Sequence, residues 1–133
     1  MRPTPRARAT LAAVTLSAIA LTAARAASVL DFDVWMRAID KRSVDVQKTI
    51  EARKPEAAAA DAQELARLYG LMETYFVDDG KAPDAVALSR SGKALAAGIP
   101  AALAAQDFDG AAKAALELSH ACNDCHDNHK PFQ

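Results

Sequence analysis

The chain has 133 residues, which is enough for one domain and too few for two. Its formal net charge is −1 at pH 7, and aromatic residues make up only 5% of it. A chain without a basic excess is a poor candidate for binding nucleic acid.

The first 26 residues have the three parts of a secretory signal peptide. Three arginines within the first eight residues form a positive start, residues 10–23 form an apolar run, and Ala24-Arg25-Ala26 supplies the small-residue cleavage pattern. The run is shorter than the roughly 20 residues of a membrane-spanning helix, although an uncleaved anchor is the alternative. We therefore expect a cleaved signal peptide at 1–26 and an exported, periplasmic domain at 27–133. Cleavage would leave 12 basic and 17 acidic side chains, a net charge of −5.

The part of the chain after the signal is rich in Ala, Leu, Lys, Glu and Asp and lacks alternating β-branched residues, which favours helix. Helix-breaking residues divide this part of the chain into four predicted helices. The first two cover about residues 29–53 and 56–77, the third begins near Asp84, and the fourth follows Asp107, which can cap it. Lys54-Pro55 and the turn at 78–83 separate the first three, and Pro100 predicts a kink within the third. Such short connections predict an all-α, up-down-up-down antiparallel four-helix bundle.

Apolar residues recur at helical spacing in each segment and predict which face is buried. In chain order these faces are Phe32, Met36, Ile39, Ser43, Val46 and Ile50; Leu65, Leu68, Met72, Tyr75 and Phe76; Leu88, Leu95, Ile99 and Leu103; and Phe108, Ala111, Ala115, Leu118, Cys122, Cys125 and His126. The last face includes the only two cysteines of the chain.

Those cysteines belong to the sequence Cys122-Asn123-Asp124-Cys125-His126, which is the C-x-x-C-H pattern of covalent haem attachment. Two thiols three residues apart lie on one side of a helix, where they can bond to the two vinyl groups of one haem. The histidine that follows projects toward the iron from the same side. We therefore expect one haem c, attached through Cys122 and Cys125, with His126 as an iron ligand.

Other uses of this motif are weaker expectations. A thioredoxin-like redox site needs a βαβ setting, which the sequence does not predict. A disulfide could form after export, but it would leave His126 unexplained. A zinc or copper site is the alternative that remains open, and it would draw on His120, Cys122, Cys125, His126 and His129.

A haem motif at the C-terminal end of a four-helix bundle resembles the class II cytochromes c, the cytochrome c-prime family. Residues 104–111, AAQDFDGA, followed by the haem motif are similar to the last junction and last helix of that family. The resemblance is clearest over residues 84–130. The connection between the second and third helices is shorter than in many members, which indicates a compact subfamily rather than a standard cytochrome c-prime, and a low-spin member if Met36 ligates the iron.

In this family the sixth coordination position of the iron faces the first helix. Low-spin members place a methionine there, and Met36 occupies the matching place, although packing in the core explains a buried methionine equally well. Lys130 follows His126 by one turn, where members commonly have Arg or Lys near the proximal face or a haem propionate; a solvated lysine is the alternative. His129 stands where members often have tyrosine.

The resemblance implies one-electron transfer through the haem. No general acid–base pair, nucleophile or oxyanion arrangement stands out in the sequence, so we do not expect an enzyme. A five-coordinate haem protein that binds NO or CO is the alternative, and a His/Cys metal-binding helical bundle without haem is the second. The expected partners are a redox protein that the sequence does not identify and, by resemblance, a second copy of the chain through its first two helices. We expect no membrane contact in the mature form.

Overall fold

A computed structural model of the chain describes residues 26–129. Apart from Ala26, the predicted signal peptide lies outside these residues, and so does Lys130. The described residues form four helices and no strand: α1 Val29–Glu51, α2 Pro55–Asp79, α3 Pro83–Ala104 and α4 Phe108–Asn128. The predicted all-α class is therefore confirmed. None of these helices combines the length and the apolarity that crossing a bilayer requires.

Local sequence signals explain where the first three helices begin and end. At the start of α1, the Ser28 hydroxyl accepts a hydrogen bond from the Asp31 N–H, and the Asp31 carboxylate accepts one from the Ser28 N–H, which together form a capping box. Helices α2 and α3 begin at Pro55 and Pro83. The N–H groups of a first helical turn have no acceptor within the helix, so proline, which has no N–H, fits there. Gly80 ends α2 with a φ of 67°, a left-handed conformation that glycine adopts without strain.

In the second half of the chain, α3 contains an internal proline and α4 begins with a side-chain cap. Helix α3 continues through Pro100 and ends at Ala104. At the start of α4, the Asp107 carboxylate accepts a 2.8 Å hydrogen bond from the Gly110 N–H, as the sequence predicted for a cap. The C-x-x-C-H motif thereby comes to lie in the last two turns of a helix with a capped N-terminus.

The four helices form a ring. Helices that are consecutive in the chain pack against each other, and α1 also packs against α4, whereas the backbones of the two diagonal pairs stay apart among the described residues and α2 reaches α4 through a side chain, Tyr69. With connections only a few residues long, neighbouring helices run antiparallel. This is the predicted up-down-up-down four-helix bundle.

The buried face of α1 is the one that the sequence predicted, and it comprises Phe32, Met36, Ile39, Ser43, Val46 and Ile50. In α4 the predicted Ala111, Ala115 and Leu118 are buried, and Cys122 packs against the core from a half-buried position. These two helices therefore present their faces in the register that the spacing of apolar residues indicated.

The predicted faces of α2 and α3 need correction. Tyr75 is only half-buried, while Tyr69, which was not predicted, is 8% exposed. In α3 the predicted Leu88 and Leu95 are half-buried, and small residues occupy much of the core-facing side: Ala85, Ser89, Gly92 and Ala96, with Ile99 and Leu103. The prediction counted large aliphatic side chains, whereas the small ones face α2, which packs closely against this helix.

Candidate functional site

A small apolar cavity lies between the four helices, beside the C-x-x-C-H motif of α4. Every helix contributes to its wall: Met36 and Ile39 from α1, Tyr69 and Met72 from α2, Leu88 and Ser89 from α3, and Ala121, Cys122 and Cys125 from α4. Its volume is about 20 Å³, room for about one water molecule, so the four helices pack closely around it. The site therefore depends on assembly of the whole bundle.

Both cysteines reach this cavity as free thiols. Burial raises the pKa of the Cys125 thiol to about 11, and the charges of Cys122 and Asp84 act in the same direction. Burial also raises the pKa of the Cys122 thiol, although the nearby hydroxyls of Tyr69 and Ser43 oppose that shift. At neutral pH both sulfurs are therefore uncharged S–H groups, which suits an apolar wall.

The Tyr69 side chain makes the most specific contact within the cavity. Its hydroxyl oxygen lies 3.2 Å from Cys122 Sγ, within hydrogen-bond distance for a sulfur partner. Burial is the main reason that the pKa of the phenol is raised well above its usual value. Sequence reasoning missed this residue because Tyr69 follows Leu68 in α2 and appeared to lie beside the apolar face rather than on it.

Two methionine side chains reach the same cavity from different helices. Met36, which is the expected distal ligand, lines it from α1, and Met72 lines it from α2. Met72 was predicted to be part of the core, and at 2% exposure it is, but it also lines the site. The cavity thus offers two thioether sulfurs, which are soft ligands for a transition metal.

His126 lies on the flank of α4 that faces α1. Seven residues before it on the same flank, the Ser119 hydroxyl accepts a 2.7 Å hydrogen bond from the Gln47 amide of α1. Met36, eleven residues before Gln47, lies on the corresponding flank of α1. His126 is half-buried, is not part of the cavity wall, and makes no hydrogen bond within residues 26–129. Neither ring nitrogen is therefore engaged by the described part of the protein.

A shallower groove between α1 and α4 passes over Cys122. It is lined by Asp40, Ser43, Val44, Ser119, Cys122 and Asn123. The Ser43 hydroxyl is buried near the Cys122 thiol, whose pKa it lowers, but it makes no hydrogen bond of ordinary length and angle in the part of the chain that the structure describes. A buried polar group without a well-formed hydrogen bond is uncommon.

The side chains of the other two histidines do not line the cavity. His120 is exposed, while His129 at the end of α4 pairs with Asp84 of α3, their Nε2 and Oδ2 atoms 2.7 Å apart. Within residues 26–129, no three His, Cys, Asp or Glu side chains form a group that could hold a metal ion. The alternative of a His/Cys metal site therefore gains no support from this geometry.

Comparison with protein-family models, with curated proteins and with solved structures finds no match for this chain. The residues of the site fit a covalently held haem in their chemistry, since two thiols, a thioether and apolar side chains line one cavity and a half-buried histidine, His126, directly follows Cys125.

Proposed function

We propose that this chain is a monohaem c-type cytochrome that transfers single electrons. One observation carries the proposal: Cys122 and Cys125, three residues apart on α4, line one apolar cavity together with Met36 of α1. A disulfide or a reactive dithiol would not require a cavity built by all four helices. A planar apolar group that must be enclosed on several sides would use apolar residues from several helices, and these residues supply them.

Each residue of the site has a distinct part in this proposal. Cys122 and Cys125 hold the haem by thioether bonds, in which each S–H adds across a vinyl C=C. His126 ligates the iron on one side and Met36 on the other. The bound haem supplies the Fe(II)/Fe(III) couple. Lys130, outside the described residues, is proposed to contact a propionate or the proximal face.

The surroundings of the cavity favour an electron carrier. Its wall is apolar apart from a few hydroxyl and thiol groups, so water is largely kept away from the redox centre. A thioether ligand raises the reduction potential of a haem iron, because it stabilises Fe(II). A low-polarity wall acts in the same direction, since it disfavours the more highly charged oxidised centre.

Export to the periplasm is part of the proposal and rests on the pattern of residues 1–26. Haem attachment outside the cytoplasm is consistent with it. The redox partner stays unidentified.

A homodimer through α1 and α2 is the other proposed association. Leu30 and Val34, one turn apart on α1, are 75% and 63% exposed, and Val77 of α2 is 56% exposed. Exposed apolar side chains of this size favour association of two surfaces when they are grouped. Light scattering of the purified protein distinguishes the dimer from a monomer.

Intact-mass measurement tests the proposal directly. The full-length chain is expressed together with haem-attachment machinery, and the mass of the purified protein is compared with that of the polypeptide. We expect the mass to increase by one haem that survives denaturation. The increase should be lost in Cys122→Ser/Cys125→Ser and kept in His120→Ala, which alters an exposed histidine. A wild-type mass equal to that of the polypeptide would contradict the proposal.

Carbon monoxide distinguishes the two haem alternatives. An electron carrier with Met36 on the iron should give a reduced spectrum that CO does not change. A five-coordinate protein should give a spectrum that shifts with CO, which would favour binding of NO or CO as the function.

A further inference from the structure

The phenol of Tyr69 has one hydrogen-bond partner among the described residues, and that partner is the sulfur of Cys122. Tyr69 belongs to α2 and Cys122 to α4, so the contact crosses the interior of the bundle. The tyrosine is 8% exposed, which leaves its hydroxyl with little access to water. A buried O–H group nearly always keeps a partner, because leaving it unpaired costs about 1–3 kcal/mol.

The position of the Tyr69 ring is fixed by α3. A Cβ atom added at Gly92 would lie 2.5 Å from Tyr69 Cε1, a separation that real atoms do not adopt. Only glycine therefore leaves room for the ring in this orientation. The close approach of the ring to Gly92 on α3 and the hydroxyl contact with Cys122 on α4 are independent observations, and together they define the orientation of the phenol.

Cys125 is arranged differently. It lines the same cavity, but no hydroxyl makes a hydrogen bond to its sulfur within residues 26–129. The two attachment sulfurs are therefore not equivalent, and only Cys122 has a polar partner built into the fold.

We propose that Tyr69 donates a hydrogen bond to the Cys122 thioether sulfur in the haem-bound protein and thereby raises the reduction potential of the haem. This proposal rests on the proposed function. In the free thiol either atom can be the donor. Once Cys122 carries a thioether bond, its sulfur has no hydrogen to give, so the Tyr69 O–H must donate. A donor at the edge of the macrocycle withdraws electron density and stabilises the centre after it gains one electron. No proton is transferred in this step.

The test compares the midpoint potentials of purified haem proteins by spectroelectrochemical titration. In Tyr69→Phe the equilibrium constant for reduction should fall about two- to fivefold, which is ~20–40 mV at 59 mV per tenfold change for one electron. Tyr75→Phe is the matched control, because Tyr75 is on the same helix and packs against Phe32 and Phe76 without a contact to either cysteine. Its potential should equal that of the wild type.

A second variant reaches the same contact from α3. Gly92→Ala keeps the Tyr69 phenol, but the added Cβ displaces the ring from its position beside α3. The midpoint potential of this variant should therefore fall, as in Tyr69→Phe. This variant decides the question if Tyr69→Phe does not fold. Equal midpoint potentials for Tyr69→Phe and Tyr75→Phe, or an unchanged potential in Gly92→Ala, would overturn the role of Tyr69. The proposed function would still stand in that case, provided that the wild type carries covalent haem. A wild type without haem would overturn both.

Discussion

The Gln47 side-chain amide donates a 2.7 Å hydrogen bond to the Ser119 hydroxyl and thereby joins α1 to α4 one turn from Cys122. This contact fixes the register between the two helices that carry Met36 and His126. It also closes the ring of the bundle, because α1 and α4 are the first and last helices of the chain.

Removal of this hydrogen bond should weaken the bundle measurably. Ser119→Ala is expected to lower the free energy of unfolding by about 1 kcal/mol relative to Ser91→Ala. Ser91 is exposed on α3, so its replacement reports the helix preference of alanine without a lost contact. Urea denaturation followed by circular dichroism measures both. Equal stabilities of the two variants would show that the Gln47 contact contributes nothing.

The Arg42–Asp61 ion pair between α1 and α2 should contribute more than the exposed pairs of the same helix. Asp61 is 7% exposed, so loss of its partner leaves a carboxylate with little solvation. We expect Arg42→Met to lower the free energy of unfolding by about 1–2 kcal/mol, less than a fully buried pair because Arg42 itself is partly exposed. Arg37→Met breaks an exposed pair with Asp33 and should change stability by less than about 1 kcal/mol. A larger effect at Arg37 than at Arg42 would contradict this ranking.

The Asp84–His129 contact should make stability depend on pH in the acidic range. The hydrogen bond from His129 is the main reason that the pKa of the Asp84 carboxyl lies below its ordinary value of 3.8. A carboxyl whose pKa is lower in the folded state stabilises the protein above its unfolded pKa and loses that effect as the pH falls through the folded value. The stability difference between wild type and Asp84→Asn should therefore shrink as the pH falls through and below 3.8.

The control for this prediction is Asp78→Asn, an exposed aspartate with no ion pair in residues 26–129. Denaturation curves collected over a range of pH should show no comparable convergence for this variant. A wild-type to Asp84→Asn difference that stays constant across the acidic range would show that the contact does not contribute in solution.

The two methionines of the cavity provide a matched pair for the distal ligand. Met36→Leu should abolish the methionine–iron charge-transfer band and make the reduced protein respond to carbon monoxide, because leucine cannot ligate iron. Met72→Leu should leave both properties unchanged. Leucine replaces methionine at similar volume, so each variant should lose less than about 1.5 kcal/mol of stability. The opposite result, in which only Met72→Leu loses the band, would assign the ligand to α2.

The sequence was sufficient to predict the bundle and the buried faces of α1 and α4. Both faces are marked by side chains at helical spacing, such as Phe32, Met36 and Ile39, and their burial requires only that each helix turn one side inward. The placement of Cys122 and Cys125 on one side of α4 was predictable for the same reason. Their relation to each other is local, within a single turn of α4.

The contacts that complete the site were not predictable from pattern alone. Tyr69 and Cys122 are 53 residues apart in the chain, and their contact depends on Gly92 of a third helix. The core-facing side of α3 escaped prediction because Ala85, Gly92 and other small residues look unremarkable in sequence. They become the buried face only because α2 packs closely against them.

The absorption spectrum of the full-length protein, expressed with haem-attachment machinery and measured oxidised and then reduced, tests the central claim most directly. We expect a Soret band and, on reduction, the sharp visible bands of a low-spin c-type haem, retained after denaturation and absent from Cys122→Ser/Cys125→Ser. A wild-type protein that folds as a helical bundle and shows no Soret band would contradict the assignment of a haem to this cavity.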